Sequence, residues 1–438
     1  MSRPPRTRAG ALAGRYAQRG TAAALDLGLY SAGNLVLNVL LARATGPAGY
    51  GRFTTVFVVY LFVATVHESV FTEPMLVFGA KESDAHRPRY LLALLRAHLT
   101  LTISIGGLVA VIAALTLSGG LRATVVAAAL AAPIMTAGQM VSRAAYLGDR
   151  RWLPAYSSAA YLAAVAVGAI VLHARGRLDA QTAFATLAGA AVIGAVPVVV
   201  ALGILRHRPG EMAPIIRRHW TYGRWSAAAS AVRWIPGNVP ILAVSAWAGY
   251  AAASRLRAAM LFTTPALLGI SALSLLALPA FARDGSAARV LRRARLLTFA
   301  LSASGLVVVA AAAVIGPDVV GAVLGDRFRP SVALITLVAG IPSVTCVSAI
   351  YGAALRAFER PSAMLQASVV AAVLTVGCGL PLVAGFGGTG AAAGLLISNL
   401  GMATAIVRSS HLTLRHLDPP AQAPPAQAPP AKGRHLPE

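Results

Sequence analysis

Charge is scarce in this chain, and acidic charge is scarcest. Only 12% of the 438 residues are charged, about half the share of an ordinary soluble domain. Asp and Glu together number 14, against 38 Lys and Arg. So few charges cannot coat a soluble protein of this length, and the mean hydropathy of +0.70 agrees. Cysteine is nearly absent. Cys346 and Cys378 both fall in apolar runs, which excludes a disulfide framework and a cysteine-based metal cluster. Enzymatic signatures are missing as well. There is no G-x-x-x-x-G-K-[ST] to cradle phosphates and no G-x-S-x-G elbow. His67-Glu68 opens like a zinc-binding H-E-x-x-H, but position 71 is Phe, so the second ligand is lacking. No acidic cluster is available for Mg²⁺. The expectation is a non-enzyme with no cofactor and no metal.

What is present is apolar sequence, 57% of the residues. The net charge of +24 and the isoelectric point near 11.5 invite a nucleic-acid reading. A nucleic-acid surface needs a polar scaffold, however, and these arginines punctuate long apolar runs, so no nucleic-acid partner is expected. A window of about 19 residues finds twelve segments long enough to cross a bilayer. They lie near 22–44, 53–78, 91–117, 122–147, 154–174, 182–205, 224–248, 254–282, 291–315, 331–352, 362–384 and 389–409. Strand alternation is absent, which excludes a β-barrel. The fold class is therefore an all-α polytopic membrane protein of about twelve transmembrane helices.

The arginines orient it. With a cytoplasmic N-terminus, the inner segments hold 26 Lys and Arg, the outer ones 6, and 6 lie within predicted helices. Basic residues favour the cytoplasmic side, so both termini are expected inside a multi-pass cell-membrane protein. The chain divides into a basic N-terminus (1–21), a first six-helix lobe (22–205), a cytoplasmic linker (206–223), a second lobe (224–409) and a Pro-rich tail (410–438). The linker mixes apolar and basic residues beside Trp220, as a helix in the membrane interface does. Pro419-Pro420-Ala421-Gln422-Ala423 repeats at 424–428, which favours an extended polyproline tail. Two short echoes relate the lobes: Ala48-Gly49-Tyr50 to Ala248-Gly249-Tyr250, and Asp149-Arg150 to Glu359-Arg360.

Ionisable side chains within the helices are the functional candidates, because charge at bilayer depth tends to face a partner or a wet cavity. Arg233 lies deepest, about 13 Å into helix 7, and Pro236, Gly237, Asn238 and Pro240 follow it, as in a kinked helix that lines a cavity. Its alternative role is to satisfy carbonyls freed at the kink. His67, Glu68 and Glu73 belong to helix 2. Glu68, His67 or Glu73 could carry a coupling proton, Glu68 could instead pair with Arg233, and Glu73 could be merely interfacial. Arg43, Arg255 and Arg257 either snorkel to the headgroups or form a cationic outer vestibule suited to a pyrophosphate or an acidic sugar. Asp26, Asn34 and Asn38 belong to helix 1, and Asn34 and Asn38, four apart, share one face. That face suits a wet cavity or a neighbouring helix.

Gly33-Asn34-Leu35, followed by Leu41-Ala42-Arg43-Ala44-Thr45-Gly46-Pro47-Ala48-Gly49-Tyr50-Gly51-Arg52-Phe53, resembles the first helix and loop of bacterial polysaccharide flippases. These are the oligosaccharide and O-antigen type members of the multidrug/oligosaccharidyl-lipid/polysaccharide exporter superfamily. Leu278-Pro279 with Ala282-Arg283, Gly325-Asp326-Arg327-Phe328 and Arg356-Ala357-Phe358-Glu359-Arg360 resemble later segments of the same family. The resemblance implies two six-helix bundles around a central cavity that opens alternately to each side. It implies a polyprenyl-pyrophosphate-linked oligosaccharide as cargo, an ion gradient as driving force, and arginines along the cavity, a place Arg233 would fill. Expected partners are that lipid-linked oligosaccharide, membrane lipids, and a glycan polymerase or glycosyltransferases of the same pathway. A multidrug efflux antiporter and a membrane glycan polymerase or ligase are the alternatives. The longest outer loop, about 15 residues at 316–330, is short for such an enzyme.

Overall fold

The computed structural model describes residues 8–414 except 149, 151, 209, 285 and 359–361. The echo at Asp149 and Glu359-Arg360, the first seven residues and the Pro-rich tail from 415 onward lie outside the described residues. Among those described there is no strand. Nine helical stretches are long and apolar enough to cross a membrane. Two of them, Thr21–Gly79 with 59 residues and Ser362–Thr413 with 52, are far longer than the ~20 residues one crossing needs. Each bends once at a glycine of positive φ, Gly46 (66°) and Gly387 (55°), and so supplies two rods. Met212–Trp247, whose apolar half is interrupted by Arg233, Pro236, Asn238 and Pro240, is not among the nine and supplies the twelfth.

The rods are α1 (8–45), α2 (47–79), α3 (Arg87–Thr116), α4 (Gly119–Ala144), α5 (Leu153–Ala174), α6 (Ala180–Leu202), α7 (Met212–Trp247), α8 (Tyr250–Asp284), α9 (Ala287–Leu324), α10 (Val332–Ala357), α11 (362–386) and α12 (388–414). The segment 45–52, expected as a loop, is a corner within a continuous helical run. Gly46 takes the left-handed conformation that a side chain disfavours, and Pro47 beside it has no N–H to give the preceding turn. Residues 212–223 of the expected linker are helical, continuous with α7 and mostly exposed.

Local sequence explains the ends. Pro88 and Pro154 start α3 and α5 at positions where the missing N–H costs nothing. Asp179 caps α6 by accepting from the Gln181 and Thr182 amides, while Thr182 Oγ1 accepts from the Asp179 amide. The helix surfaces identify the solvent. On α3, Ile103, Ile105, Leu108, Val111, Ile112 and Leu115 are all exposed. An apolar wall of this size belongs in lipid.

The helices form two bundles, α1–α6 and α7–α12. At the ends bearing the arginine-rich turns, hereafter the basic end, each bundle keeps its own core. One core joins Phe71, Leu91, Met140, Leu153 and Val198, and the other joins Phe281, Val290, Ile350, Leu355 and Ile406. At the opposite end the cores merge. Leu37, Tyr50, Phe53 and Phe184 of the first bundle pack in one cluster with Ala258, Val320, Leu324, Phe328 and Ile335 of the second. Helix α7 joins both bundles. Ile215, in its first turns, packs on the first-bundle core, whereas Ile241 and Val244, beyond Pro236 and Pro240, pack with Ala253, Leu334 and Val383 of the second.

Candidate functional site

A polar stripe runs along α1. Asp26, Tyr30, Asn34 and Asn38 follow at intervals of four, so they share one face, and that face points into the first bundle. Asp26 is buried. It accepts from Ser158 Oγ at 2.5 Å, Tyr146 Oη at 2.6 Å and Arg143 at 3.1 Å. Tyr30 stacks on Tyr161 at 4.5 Å between ring centres, and Gln139 Nε2 donates to the hydroxyls of Tyr30 and Tyr60. Tyr161 Oη donates to Asn34 Oδ1 at 3.1 Å. Asn38 Nδ2 donates to the Asn34 carbonyl, and its Oδ1 accepts from Tyr50 Oη at 2.7 Å. Asn34 and Asn38 therefore lie inside the first bundle, between α1 and its neighbours.

A cavity of about 120 Å³ opens beside this stripe, lined by Asp26, Tyr30, His67, Glu68, Gln139 and Arg143 among others. Glu68 is exposed toward it. Among the described residues Glu68 makes no ion pair, with Arg233 or any other base. His67 is buried, its ring 4.5 Å from that of His98, and its Nε2 has no hydrogen-bond partner. Just past His67, α2 widens into a π-turn over Glu68–Thr72, a distortion that recurs at functional sites.

The same turn meets α7. Ser69 Oγ donates to Ser230 Oγ at 2.9 Å, and Arg233 donates to Ser230 Oγ at 2.6 Å. Arg233 itself is exposed and has no carboxylate partner among the described residues. Ser226 Oγ donates to Glu73 Oε2 at 2.5 Å, so Glu73 tethers α2 to α7. Gly223 allows the closest approach: a methyl there would sit 2.7 Å from the Ser69 carbonyl oxygen. His219, about one turn before Gly223 along the helix, is buried. Its Nδ1 contacts the Val70 carbonyl at 3.3 Å and its Nε2 the Tyr90 hydroxyl at 2.8 Å. Burial pushes the imidazole pKa down to about 4.

The other candidate arginines, Arg43, Arg255 and Arg257, lie at the opposite end. Arg43 Nε and Nη2 donate to the carbonyls of Val323 and Ala322, each at 2.8 Å, which satisfies the open C-terminus of α9. Arg257 is half-buried beside Tyr50, and Arg255 is exposed. Sequence reasoning named Asn34, Asn38, Glu68 and His67 but did not select Asp26 and Arg143 as a pair or Tyr30 at all. The four-residue spacing that groups Asn34 with Asn38 extends to Tyr30 and Asp26, and was the available signal.

No protein-family model matches the chain, and no curated protein matches it. Solved structures do. The lipid II flippase MurJ in an inward closed conformation superposes with a TM-score of 0.71 at 11% identity, over 89% of this chain and 87% of that one. A multidrug resistance MATE family transporter of the MOP superfamily, inward-facing, gives 0.67 at 15% identity, over 90% and 98%. An outward-facing structure bearing the same description gives 0.59 at 12% identity, over 93% and 96%. At these identities the likeness is one of architecture: the chain has the fold of the MOP-superfamily transporters.

Proposed function

We propose that this protein flips a polyprenyl-pyrophosphate-linked oligosaccharide across the cell membrane for surface polysaccharide synthesis, by alternating access coupled to an ion gradient. The carrying observation is Arg233: an exposed guanidinium deep in α7, without a carboxylate partner among the described residues, at the seam between the bundles. Such a group attracts a pyrophosphate and repels a cationic cargo. The likeness to a lipid II flippase supports a lipid-linked cargo. The likeness to a multidrug transporter supports efflux as the second reading. Against a glycan polymerase or ligase stands the lack of any extramembrane unit among the described residues.

In this reading the basic end is cytoplasmic and the state is inward-open. Arg233 captures the pyrophosphate from that side. Protonation of Glu68, at the mouth of the first-bundle cavity, changes the balance of charge beside the Asp26–Arg143 pair and the π-turn of α2. His67 is positioned to share the proton, and Glu73 holds α2 to α7 until the seam rearranges. Arg43, Arg255 and Arg257 belong to the end that must open for release. Domains 1–21 and 410–438 remain cytoplasmic extensions, and a polymerase or glycosyltransferase of the pathway would meet the protein on its two membrane faces.

The test is transport of a fluorescent polyprenyl-pyrophosphate oligosaccharide in proteoliposomes. Arg233→Ala is expected to lower the rate at least about ten-fold, the loss of one charge-assisted contact, with the melting temperature held. Full transport by Arg233→Ala would remove the capture role. A wild type that moves cationic dyes but not the lipid-linked sugar would favour the efflux reading.

A further inference from the structure

A second cationic site lies away from the transport seam, at the basic end of the second bundle. Helices α9 and α12 enclose a groove of about 440 Å³ lined by Ala288, Leu291, Arg292, Arg295, Leu296 and His411. Its charges are unbalanced. On the neighbouring flank of α9, Arg289 and Arg293 both pair with Asp284, at 3.5 and 2.5 Å. Arg292 and Arg295, one turn apart, point elsewhere, are exposed, and have no ion pair or hydrogen bond among the described residues. None of the described residues lining the groove is a carboxylate.

Across from them, His411 Nδ1 is buried without a hydrogen-bond partner, and its ring lies 6.1 Å from that of Tyr351. His411 also lines the groove, so its ring is within reach of a headgroup held by the two arginines. Immediately beyond the arginines α9 turns apolar and outward, with Leu296 60%, Leu297 36% and Phe299 75% exposed. Leu412 of α12 is 57% exposed. The groove therefore joins cationic groups at the headgroup level to a bare apolar wall at acyl-chain level.

We propose that this groove is a binding site for an anionic phospholipid. Arg292 and Arg295 grip the phosphate, His411 adds a polar contact to the headgroup, and the acyl chains lie along Leu296 and Phe299. The mixed pocket on the other bundle makes a useful contrast. There Arg89 and Arg218 share the surface with Glu82 and Glu211, so its charge is partly cancelled. The α9–α12 groove offers a lipid phosphate two guanidiniums and, among its described lining residues, no carboxylate.

The experiment uses the full chain in nanodiscs and counts retained lipid by native mass spectrometry after exchange into detergent. The probes are phosphatidylglycerol, phosphatidylcholine and inorganic pyrophosphate. The wild type is expected to retain phosphatidylglycerol over phosphatidylcholine, and millimolar pyrophosphate is expected to leave it in place. Each basic side chain at an anionic lipid surface contributes about five-fold in affinity, so Arg292→Gln with Arg295→Gln is expected to cost about twenty-five-fold. Replacing both by Lys should restore most of it. Each single variant removes an exposed side chain that makes no ion pair among the described residues, and is expected to cost about five-fold, which keeps the test if the double variant does not fold. Unchanged phosphatidylglycerol retention in the Gln variants overturns the proposal, as does equal retention of phosphatidylcholine. Displacement by pyrophosphate shows a site for free phosphates and overturns the lipid assignment.

Discussion

The two ends of the boundary between the bundles are held by different forces. At the end opposite the arginine-rich turns, the two cores are one continuous apolar cluster, fastened at its edge by Arg43 on the α9 carbonyls. At the basic end the cores stay apart, and one helix, α7, is stitched to α2 and α3 by hydroxyls, Glu73 and His219. An apolar seal is strong and indifferent to pH. A polar stitch is weaker, geometrically specific and able to titrate. A transporter that alternates must break the first kind of contact to open one side, and can use the second kind to time it.

The largest expected effect is at the apolar end. A methyl group on Gly51 would sit 1.9 Å from the Tyr250 carbonyl oxygen, so no side chain fits while that end is closed. Gly51→Leu is expected to destabilise the closed arrangement by about 2–3 kcal/mol. Spin labels on Ser118 and Trp247, at the opposite-end turns of the two bundles, should move apart in a pulsed electron resonance measurement. An unchanged distance distribution would mean that the apolar cluster is not what keeps this end shut.

Next comes the titration of the basic end. The Val70 carbonyl can only accept, so His219 carries its proton on Nδ1 and leaves Nε2 to accept from Tyr90. This neutral form is the one that burial favours, with the folded pKa near 4 against an ordinary 6.5. Between those values the unfolded chain binds a proton that the folded chain refuses. The contribution of His219 is therefore full above pH 6.5 and lost as pH falls toward 4, by about 2.5 kcal/mol at pH 4.5. Thermal melts from pH 7.5 to 4.5 should show a decline that His219→Phe flattens. Gly51→Leu, at the other end, should leave that decline in place.

These contrasts show where the sequence was readable. Twelve crossings were, because each needs a long apolar run and the runs are there. The inter-lobe segment was readable as basic and amphipathic. Its continuity with α7 was not, since no local signal breaks or joins the helix at 224. Gly46-Pro47 reads as loop chemistry, yet one left-handed residue suffices to turn the chain while both sides stay helical. Within the site, Asn34 and Asn38 announced a polar face by spacing alone. Asp26 needed its partners to be recognised, and Arg143 and Ser158 are 117 and 132 residues away. Tyr30 reads as an ordinary apolar position until Gln139 meets its hydroxyl. Arg43 fits a snorkelling pattern, but its acceptors are carbonyls 280 residues away.

Arg43 gives the third prediction. Removing its two bonds to the end of α9 leaves the Ala322 and Val323 carbonyls without that donor at an exposed edge, where water replaces much of what is lost. Arg43→Gln is expected to cost about 1–2 kcal/mol in a detergent melt, less than Gly51→Leu, and to widen the Ser118–Trp247 distance only partly. A shift as large as that of Gly51→Leu would move the main closing force from the apolar cluster to the clasp.

The smallest effect belongs to a single stitch at the basic end. Ser226 and Glu73 are joined at 2.5 Å, but the same seam also holds Ser69 to Ser230 and packs Gly223 on the Ser69 backbone. One contact among several in a half-buried site contributes about 1 kcal/mol, so Ser226→Ala should barely move the melting temperature. Its kinetic effect should be more visible. If these stitches time the opening, loosening one changes how fast the seam rearranges without changing cargo capture by Arg233. The expected outcome in proteoliposomes is an altered maximal rate with an unaltered half-saturating cargo concentration. A change confined to half-saturation would tie Glu73 to the cargo itself, and the polar end of the boundary would then be a binding surface rather than a latch.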